Sequence, residues 1–140
     1  ADMAQCKEAA VALLDSGCDL LSSSAGVGSP GVIAACAEAG KYFVGTSADW
    51  SSIDPSTVLN SVLTDWGEAA VASARLFAQG ELQPRPYMNG IAEGAVHFVD
   101  YGEEALKVIP ADVLARMDQI IADLQAGKIN INEMVAALPK

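Results

Sequence analysis

Two short segments contain residues that could contact a ligand, and each follows a predicted buried strand. Residues 22–29 are a run of serine, alanine, valine and glycine that ends at Ser29. Residues 46–50 read TSADW, which offers a carboxylate at Asp49 and an indole at Trp50. Small residues let a backbone approach a ligand closely. A carboxylate accepts hydrogen bonds from sugar hydroxyls, and an indole stacks on a base. The two segments therefore favour a binding site for a small polar molecule.

Other interpretations of these segments stay open at this stage. Residues 22–29 also fit a plain tight turn between a strand and a helix. Gly26, Gly28 and Gly31 match the dinucleotide pattern GxGxxG in spacing alone, with Asp49 as the acid about twenty residues further on. The N–H groups of a helix that starts near Pro30 could bind an oxygen-rich group. Asp49 and Trp50 equally fit a surface carboxylate and a half-buried aromatic residue.

No arrangement typical of catalysis or metal binding stands out. His97 is the single histidine and lies in a strand-like segment, so we interpret it as a packed or surface residue. Cys6, Cys18 and Cys36 are odd in number and form no CxxC pair, which supports neither a disulfide framework nor a zinc site. We interpret them as small buried residues. The sequence therefore predicts a protein that is not an enzyme and has no metal and no cofactor.

Composition narrows the class of protein and of partner. A chain of 140 residues suits one domain, and 51% hydrophobic residues indicate a globular chain. The net charge of −10 argues against nucleic acid, since phosphate binding needs clustered lysine and arginine. No apolar run approaches the roughly 18 residues of a membrane helix. The first residues are polar and helix-like, so they do not reveal the compartment.

The elements that position the two segments alternate between strands and helices. We predict strands beginning at Leu20 and over 42–44, 58–63, 87–91 and 95–99, and helices over 3–15, 32–39, 65–79, 111–125 and 130–138. Ser29 is predicted to cap the second helix, with Pro30 at its first position. Phe77 is predicted on the inner side of the third helix. The alternation indicates an α/β fold with an open, mainly parallel sheet flanked by helices. The strand expected before Met3 is absent, so the sequence reads as starting inside a fold.

A resemblance to a known family spans nearly the whole chain. Residues 18–49, CDLLSSSAGVGSPGVIAACAEAGKYFVGTSAD, resemble the segment A-D-V-I-x-x-x-A-G-G-x-G-x-G-V-I-x-A-A-x-E-x-G-x-Y-x-x-G-x-D-S-D of the basic membrane protein family. The similarity continues at 58–62, 87–96, 109–113 and 126–129. The family's patterns at these places are V-L-T-S-V, Y-x-x-G-x-x-x-G-x-V, V-P-x-E-V and S-G-x-I. These proteins are the substrate-binding lipoproteins of nucleoside ABC transporters.

The resemblance implies a type I periplasmic-binding-protein fold, in which two α/β lobes joined by three crossovers hold the ligand between them. Residues 1–140 would form a single carboxyl-terminal lobe fragment, and residues 65–86 a crossover helix that belongs to the first lobe. An apolar face left without that lobe would promote self-association. The implied location is periplasmic or extracytoplasmic, with a lipid anchor outside this chain. The implied partners are a small-molecule ligand and the membrane permease of an ABC transporter, and no nucleic acid.

The resemblance also assigns candidate ligand contacts. The family's A-G-G, which faces the ligand, falls on Ala25, Gly26 and Val27. The acid that binds ribose hydroxyls falls on Ser47, the second acid falls on Asp49, and a frequent lysine falls on Thr64. The full set of predicted ligand-binding residues is Ser24, Ala25, Gly26, Val27, Ser47, Asp49, Trp50 and Thr64.

The implied function is capture of a purine nucleoside or related small polar ligand without chemical change. Because Ser47 and Thr64 stand where the family has an acid and a lysine, two usual sugar-binding groups are missing. A bare nucleobase or another polar ligand therefore also fits. The alternative is a ligand-sensing or interaction domain of the same fold.

Overall fold

A computed structural model describes residues 2–87, 89–136 and 138. Helices and strands follow in the predicted order up to residue 78. The helices are α1 (Met3–Asp15), α2 (Ser29–Glu38), α3 (Trp66–Ala78), α4 (Glu103–Val108), α5 (Ala111–Gln125) and α6 (Ile131–Ala136). The strands are β1 (Leu20–Ser23), β2 (Tyr42–Thr46), β3 (Val58–Thr64) and β4 (Val96–Phe98), and a 3₁₀ turn over Gly26–Gly28 precedes α2.

The four strands form one open sheet in the order β1-β2-β3-β4. β1 pairs with β2 and β2 with β3, both in parallel. The β2–β3 register shifts between Phe43 and Val44, because Phe43 is opposite Val58 whereas Val44 is opposite Asn60. β4 follows in the opposite direction, and the Val99 N–H donates to the Ser61 carbonyl oxygen at 3.0 Å. The predicted α/β class with an open, mainly parallel sheet is confirmed.

The core lies between the first strands and the helices α1 and α2. It consists of Ala10, Leu21, Val32, Ile33, Ala35, Cys36, Phe43 and Val58. Gly31 allows α1 and α2 to approach, because a Cβ atom there would lie 2.2 Å from the Met3 carbonyl oxygen. This contact explains the third glycine of the GxGxxG spacing by helix packing. Burial raises the pKa of the Cys36 thiol, and all three cysteines are free.

The chain divides into two compact units. The first contains the described residues up to Thr64 together with His97–Pro110, and it includes the core and the parallel strands. The second contains Asp65–Val96 and the described residues from Ala111 onward. Within it, Asp65 caps α3, because its side chain accepts a hydrogen bond from the Glu68 N–H at 3.0 Å.

One local prediction in the first unit is wrong, and one helix was not predicted. Ser29 does not cap α2 but is its first residue, and Gly28 occupies the cap position. The Ser29 side chain is buried and donates to Ser23 Oγ at 3.5 Å, and the cap position of α2 has no side-chain hydrogen bond. The six-residue helix α4 was not predicted, and Glu103 and Glu104 form its first turn.

Two predictions in the second unit also fail. The described part of the predicted strand 87–91 contains no strand, and Met88 lies outside the described residues. The Gly90 carbonyl oxygen instead accepts from Ala95 and Val96 N–H groups, which closes a turn. Phe77 is 74% exposed and is not on the inner side of α3.

Candidate functional site

The two predicted ligand segments meet at one edge of the sheet, within the first unit. Ser23, the last residue of β1, is opposite Gly45 in β2, and the two strands are parallel. Residues 24–27 and 47–50 therefore leave the sheet side by side. The Thr46 hydroxyl joins them, because Oγ1 donates to the Ser23 carbonyl oxygen at 2.7 Å and lies 3.5 Å from Ser24 Oγ.

The first segment presents backbone and small side chains to solvent. Gly26 has φ of +56°, a left-handed conformation that favours glycine, and it begins the 3₁₀ turn. The Ala25 N–H donates to Ser23 Oγ at 3.1 Å and so is not free for a ligand. Val27 is 75% exposed at the tip of the turn. This segment thus offers the Ser24 hydroxyl and an apolar methyl surface at Val27.

Ser47 has an unusual backbone conformation. Its φ is +66°, the single positive φ among non-glycine residues in the described part of the chain. Such a conformation is uncommon for residues with a Cβ and clusters at functional sites. The Ser47 N–H donates to the Val62 carbonyl oxygen of β3 at 2.7 Å, which holds the turn onto the sheet. The side chain is exposed, so a hydroxyl is presented where the resemblance places an acid.

Both N–H groups of Trp50 donate hydrogen bonds within the protein. Its indole Nε1–H donates to the Thr46 carbonyl oxygen at 3.1 Å, and its backbone N–H donates to Ser61 Oγ at 3.2 Å. The side chain packs against the core, and a Cβ atom at Gly45 would lie 2.5 Å from Trp50 Cδ1. Because its donors are used within the protein, Trp50 can offer a ligand its ring surface only.

Asp49 and Thr64 complete the predicted set. Asp49 is exposed, and its Oδ1 accepts from the Ser51 N–H at 2.9 Å. Thr64 is half-buried at the end of β3, two residues beyond Val62, which is opposite Thr46. Since β3 is parallel to β2, Thr64 lies at the same edge as the other candidates.

The edge is rich in hydroxyl groups and poor in charge. Asp49 supplies the one formal charge of residues 22–29 and 46–50. In the described residues, no group of three or more histidine, cysteine, aspartate or glutamate side chains could hold a metal ion. Among helices that the structure describes, none is long and apolar enough to cross a membrane. An edge with many hydroxyl groups and a single charge suits hydrogen bonding to a neutral ligand.

The turn after Trp50 is held by Asp54. Its carboxylate accepts from Ser56 Oγ at 2.6 Å and from Thr57 Oγ1 at 3.1 Å, and also from both N–H groups. The hydrogen bond from Ser56 is the main cause that lowers the pKa of Asp54. The turn fixes where β3 begins and so where Ser61 meets Trp50.

Two residues that were not among the predicted ligand contacts organise this edge. Thr46 bonds to both segments, and Ser61 accepts from the Trp50 N–H. A hydroxyl residue at the last position of a buried strand was the available signal for Thr46. No sequence signal distinguished Ser61, which is fully buried and reaches Trp50 only through the β2–β3 register.

Comparison with known proteins identifies related chains. The sequence model of one family, described as ABC transporter substrate-binding protein PnrA-like, matches residues 1–134. A Haloferax volcanii protein named for glucose binding in an ABC transporter, TsgA13, is 26% identical over 117 residues, which cover 84% of this chain and 29% of that protein.

Solved structures show the same fold at low identity. An ABC transporter solute-binding protein from Aeropyrum pernix K1 superposes with a TM-score of 0.73 at 18% identity, covering 92% of this chain and 44% of that one. One from Conexibacter woesei has a TM-score of 0.62 at 20% identity, covering 92% and 42%. A transcriptional activator of the comK gene from Bacillus halodurans has a TM-score of 0.69 at 20% identity, covering 83% and 40%.

These similarities establish the fold, which is that of periplasmic binding proteins. The chain spans less than half of the length of each of these four proteins.

Proposed function

The chain belongs to the PnrA-like family of ABC transporter substrate-binding proteins, and from this membership we propose that it is part of the solute-binding component of an importer. It would bind a purine nucleoside or a related small polar ligand and release it unchanged. The family match over residues 1–134 is the observation that carries the proposal. In this role the protein acts outside the cytoplasm, held by a lipid anchor, and delivers its ligand to a membrane permease.

The chemistry of the sheet edge supports a neutral polar ligand. Hydroxyl groups at Ser24, Ser47 and Thr64 would exchange hydrogen bonds with ligand hydroxyls or ring nitrogens. Asp49 would accept from a sugar hydroxyl through a charge-assisted bond, which is about twice as strong as a neutral one. The Trp50 ring surface would contact a flat base. A nucleoside has both kinds of group, which is why we prefer it.

Binding to the native state raises thermal stability, so a ligand panel tests the proposal. We would measure unfolding of the complete gene product with inosine, adenosine, guanosine, uridine, their free bases and glucose. A ligand at about 100 times its Kd raises the free energy of unfolding by about 2.7 kcal/mol. Stabilisation by nucleosides or bases is expected. Stabilisation by glucose alone would refute the ligand class and would agree with the name of the Haloferax volcanii relative.

A matched pair of variants links the effect to the site. Asp49→Asn keeps the oxygen that accepts from the Ser51 N–H but removes the charge, and it should weaken nucleoside binding about fivefold. Asp100→Asn removes an equal charge from an exposed residue outside both segments and should leave binding unchanged. Equal losses in the two variants would show that Asp49 is not a ligand contact.

The second candidate is a ligand-sensing domain. It is favoured by the similarity in fold to the Bacillus halodurans transcriptional activator. Deleting the gene separates the two functions. Loss of uptake of the labelled ligand supports the importer, whereas unchanged uptake with an altered transcript profile supports the sensor.

We also propose that residues 65–86 pack in a lobe other than the one containing the ligand segments. Trp66 and Phe77 of α3 are 75% and 74% exposed, and large exposed apolar side chains favour association. The 140-residue chain expressed alone should therefore self-associate. A monodisperse monomer by light scattering at high concentration would contradict this.

A further inference from the structure

We propose that Thr46 is a positioning residue that aligns the two ligand segments, an inference that rests on the proposed function. Thr46 is the last residue of β2 and half-buried. It is not one of the predicted ligand contacts. It touches the first segment through its side chain and the second through its backbone.

The side chain holds the first segment by a hydrogen bond of defined direction. A carbonyl oxygen can only accept, so the Thr46 hydroxyl donates its single proton to the Ser23 oxygen at 2.7 Å. Toward Ser24 Oγ, 3.5 Å away, the same hydroxyl can then only accept. Any bond between them must therefore be donated by Ser24, which directs the lone pairs of Ser24 elsewhere. The ligand would meet Ser24 as an acceptor.

The backbone of Thr46 holds the second segment. Its carbonyl oxygen accepts from Trp50 Nε1–H at 3.1 Å. A change of side chain leaves this carbonyl in place. Loss of the hydroxyl should consequently release Ser24 while Trp50 keeps its orientation. A residue that merely supported the core would affect both segments alike.

The experiment is a double-mutant cycle on the complete gene product. Thr46→Val removes the hydroxyl and keeps the branched shape, and Ser24→Ala removes its neighbour. Binding of inosine and of adenine is measured by calorimetry for the wild type, both single variants and the double variant. We expect Thr46→Val to weaken binding about fivefold, the scale of one hydrogen bond. In that background, Ser24→Ala should cost much less than it does in the wild type.

Two further readouts separate positioning from general support. Thr46→Ser retains the hydroxyl and should restore binding to within about twofold of the wild type. The NMR signal of the Trp50 indole N–H should be unchanged in Thr46→Val. If valine prevents folding, Thr46→Ala removes the same hydroxyl with less bulk and carries the same expectation.

The outcomes distinguish this inference from the proposed function. Additive effects of Thr46→Val and Ser24→Ala on Kd, or failure of Thr46→Ser to restore binding, would overturn the role of Thr46. If the wild type binds neither probe, the proposed ligand class fails. The same four proteins are then compared by urea unfolding, where additive changes overturn the inference and coupled changes support it.

Discussion

Replacing Ser47 with aspartate should tighten nucleoside binding, because it restores the acid that the family resemblance places at this position. A neutral hydrogen bond contributes about 1 kcal/mol net, and a bond to a charged group about twice that. The difference of about 1 kcal/mol corresponds to a roughly fivefold lower Kd. Ser47 is exposed, so the new carboxylate stays hydrated and incurs little desolvation cost.

The backbone should accept the change. Ser47 has φ of +66°, and asparagine and aspartate adopt this left-handed region more readily than other residues with a Cβ. The Ser47 N–H bond to the Val62 oxygen involves no side-chain atom and is retained. We therefore expect the free energy of unfolding to change by less than about 0.5 kcal/mol. Asp49, two residues away, adds a weak repulsion that salt should reduce.

Ser47→Asn is the matched control, since it has the same shape and backbone preference without the charge. Calorimetric titration of inosine at low and high salt compares both variants with the wild type. If Ser47 contacts the ribose, Ser47→Asp must bind inosine more tightly than Ser47→Asn. Equal Kd values for the two variants would refute it and would place the ribose away from Ser47.

Three further changes test the architecture around the site. Gly31→Ala should destabilise the protein by about 1–3 kcal/mol in urea unfolding, since its Cβ would meet the Met3 backbone. Gly102→Ala is the control, because a Cβ there would have no atom within 4 Å. It should cost no more than a lost helix cap, about 1 kcal/mol. A larger loss at Gly102 would contradict the packing argument. Hydrogen bonding lowers the pKa of Asp54, so its contribution to stability is present above its unfolded pKa near 4 and is lost as the pH falls through the lower folded value. Asp54→Asn should therefore destabilise at pH 7 and progressively less as the pH falls below about 4. A destabilisation independent of pH would be inconsistent with this. Asn60 is buried and donates Nδ2–H to the Val99 oxygen at 2.9 Å, so Asn60→Asp should cost about 3 kcal/mol or more at pH 7 and less at pH 4, with Asn60→Ala as the uncharged control at about 1–3 kcal/mol.

Long periodic elements were predictable because burial imposes a regular pattern on them. The helices α1, α3 and α5 and the strand β3 have nearly the predicted bounds. Short elements were not, since a six-residue helix such as α4 has too few turns to show a period. The role of Ser29 was mistaken because a 3₁₀ turn fills the preceding position and moves the helix start.

The position of the candidate site was predictable, but the hydrogen bonds that connect its residues were not. Residues after parallel strands must meet at one edge, so sequence alone located residues 24–27 and 47–50. The positive φ of Ser47 and the bonds of Thr46 depend on how β1, β2 and β3 are aligned. No local propensity encodes that alignment. Whether these residues contact a ligand stays a prediction.

The register shift between β2 and β3 determines which side chain of β3 faces Trp50. In a regular strand, Val58 and Asn60 would point to the same face of the sheet. One extra residue at Leu59 reverses the alternation, so that Ser61 shares a face with Gly45 and reaches the Trp50 N–H. The effect of a deletion or insertion in β3 therefore depends on its position relative to the bulge. Deleting Leu59 would remove the bulge and leave Asn60 opposite Val44 and Ser61 opposite Gly45, whereas inserting a residue between Ser61 and Val62 would turn the side chains that follow to the other face. Relatives without the bulge should carry the small hydroxyl residue one position earlier in the strand.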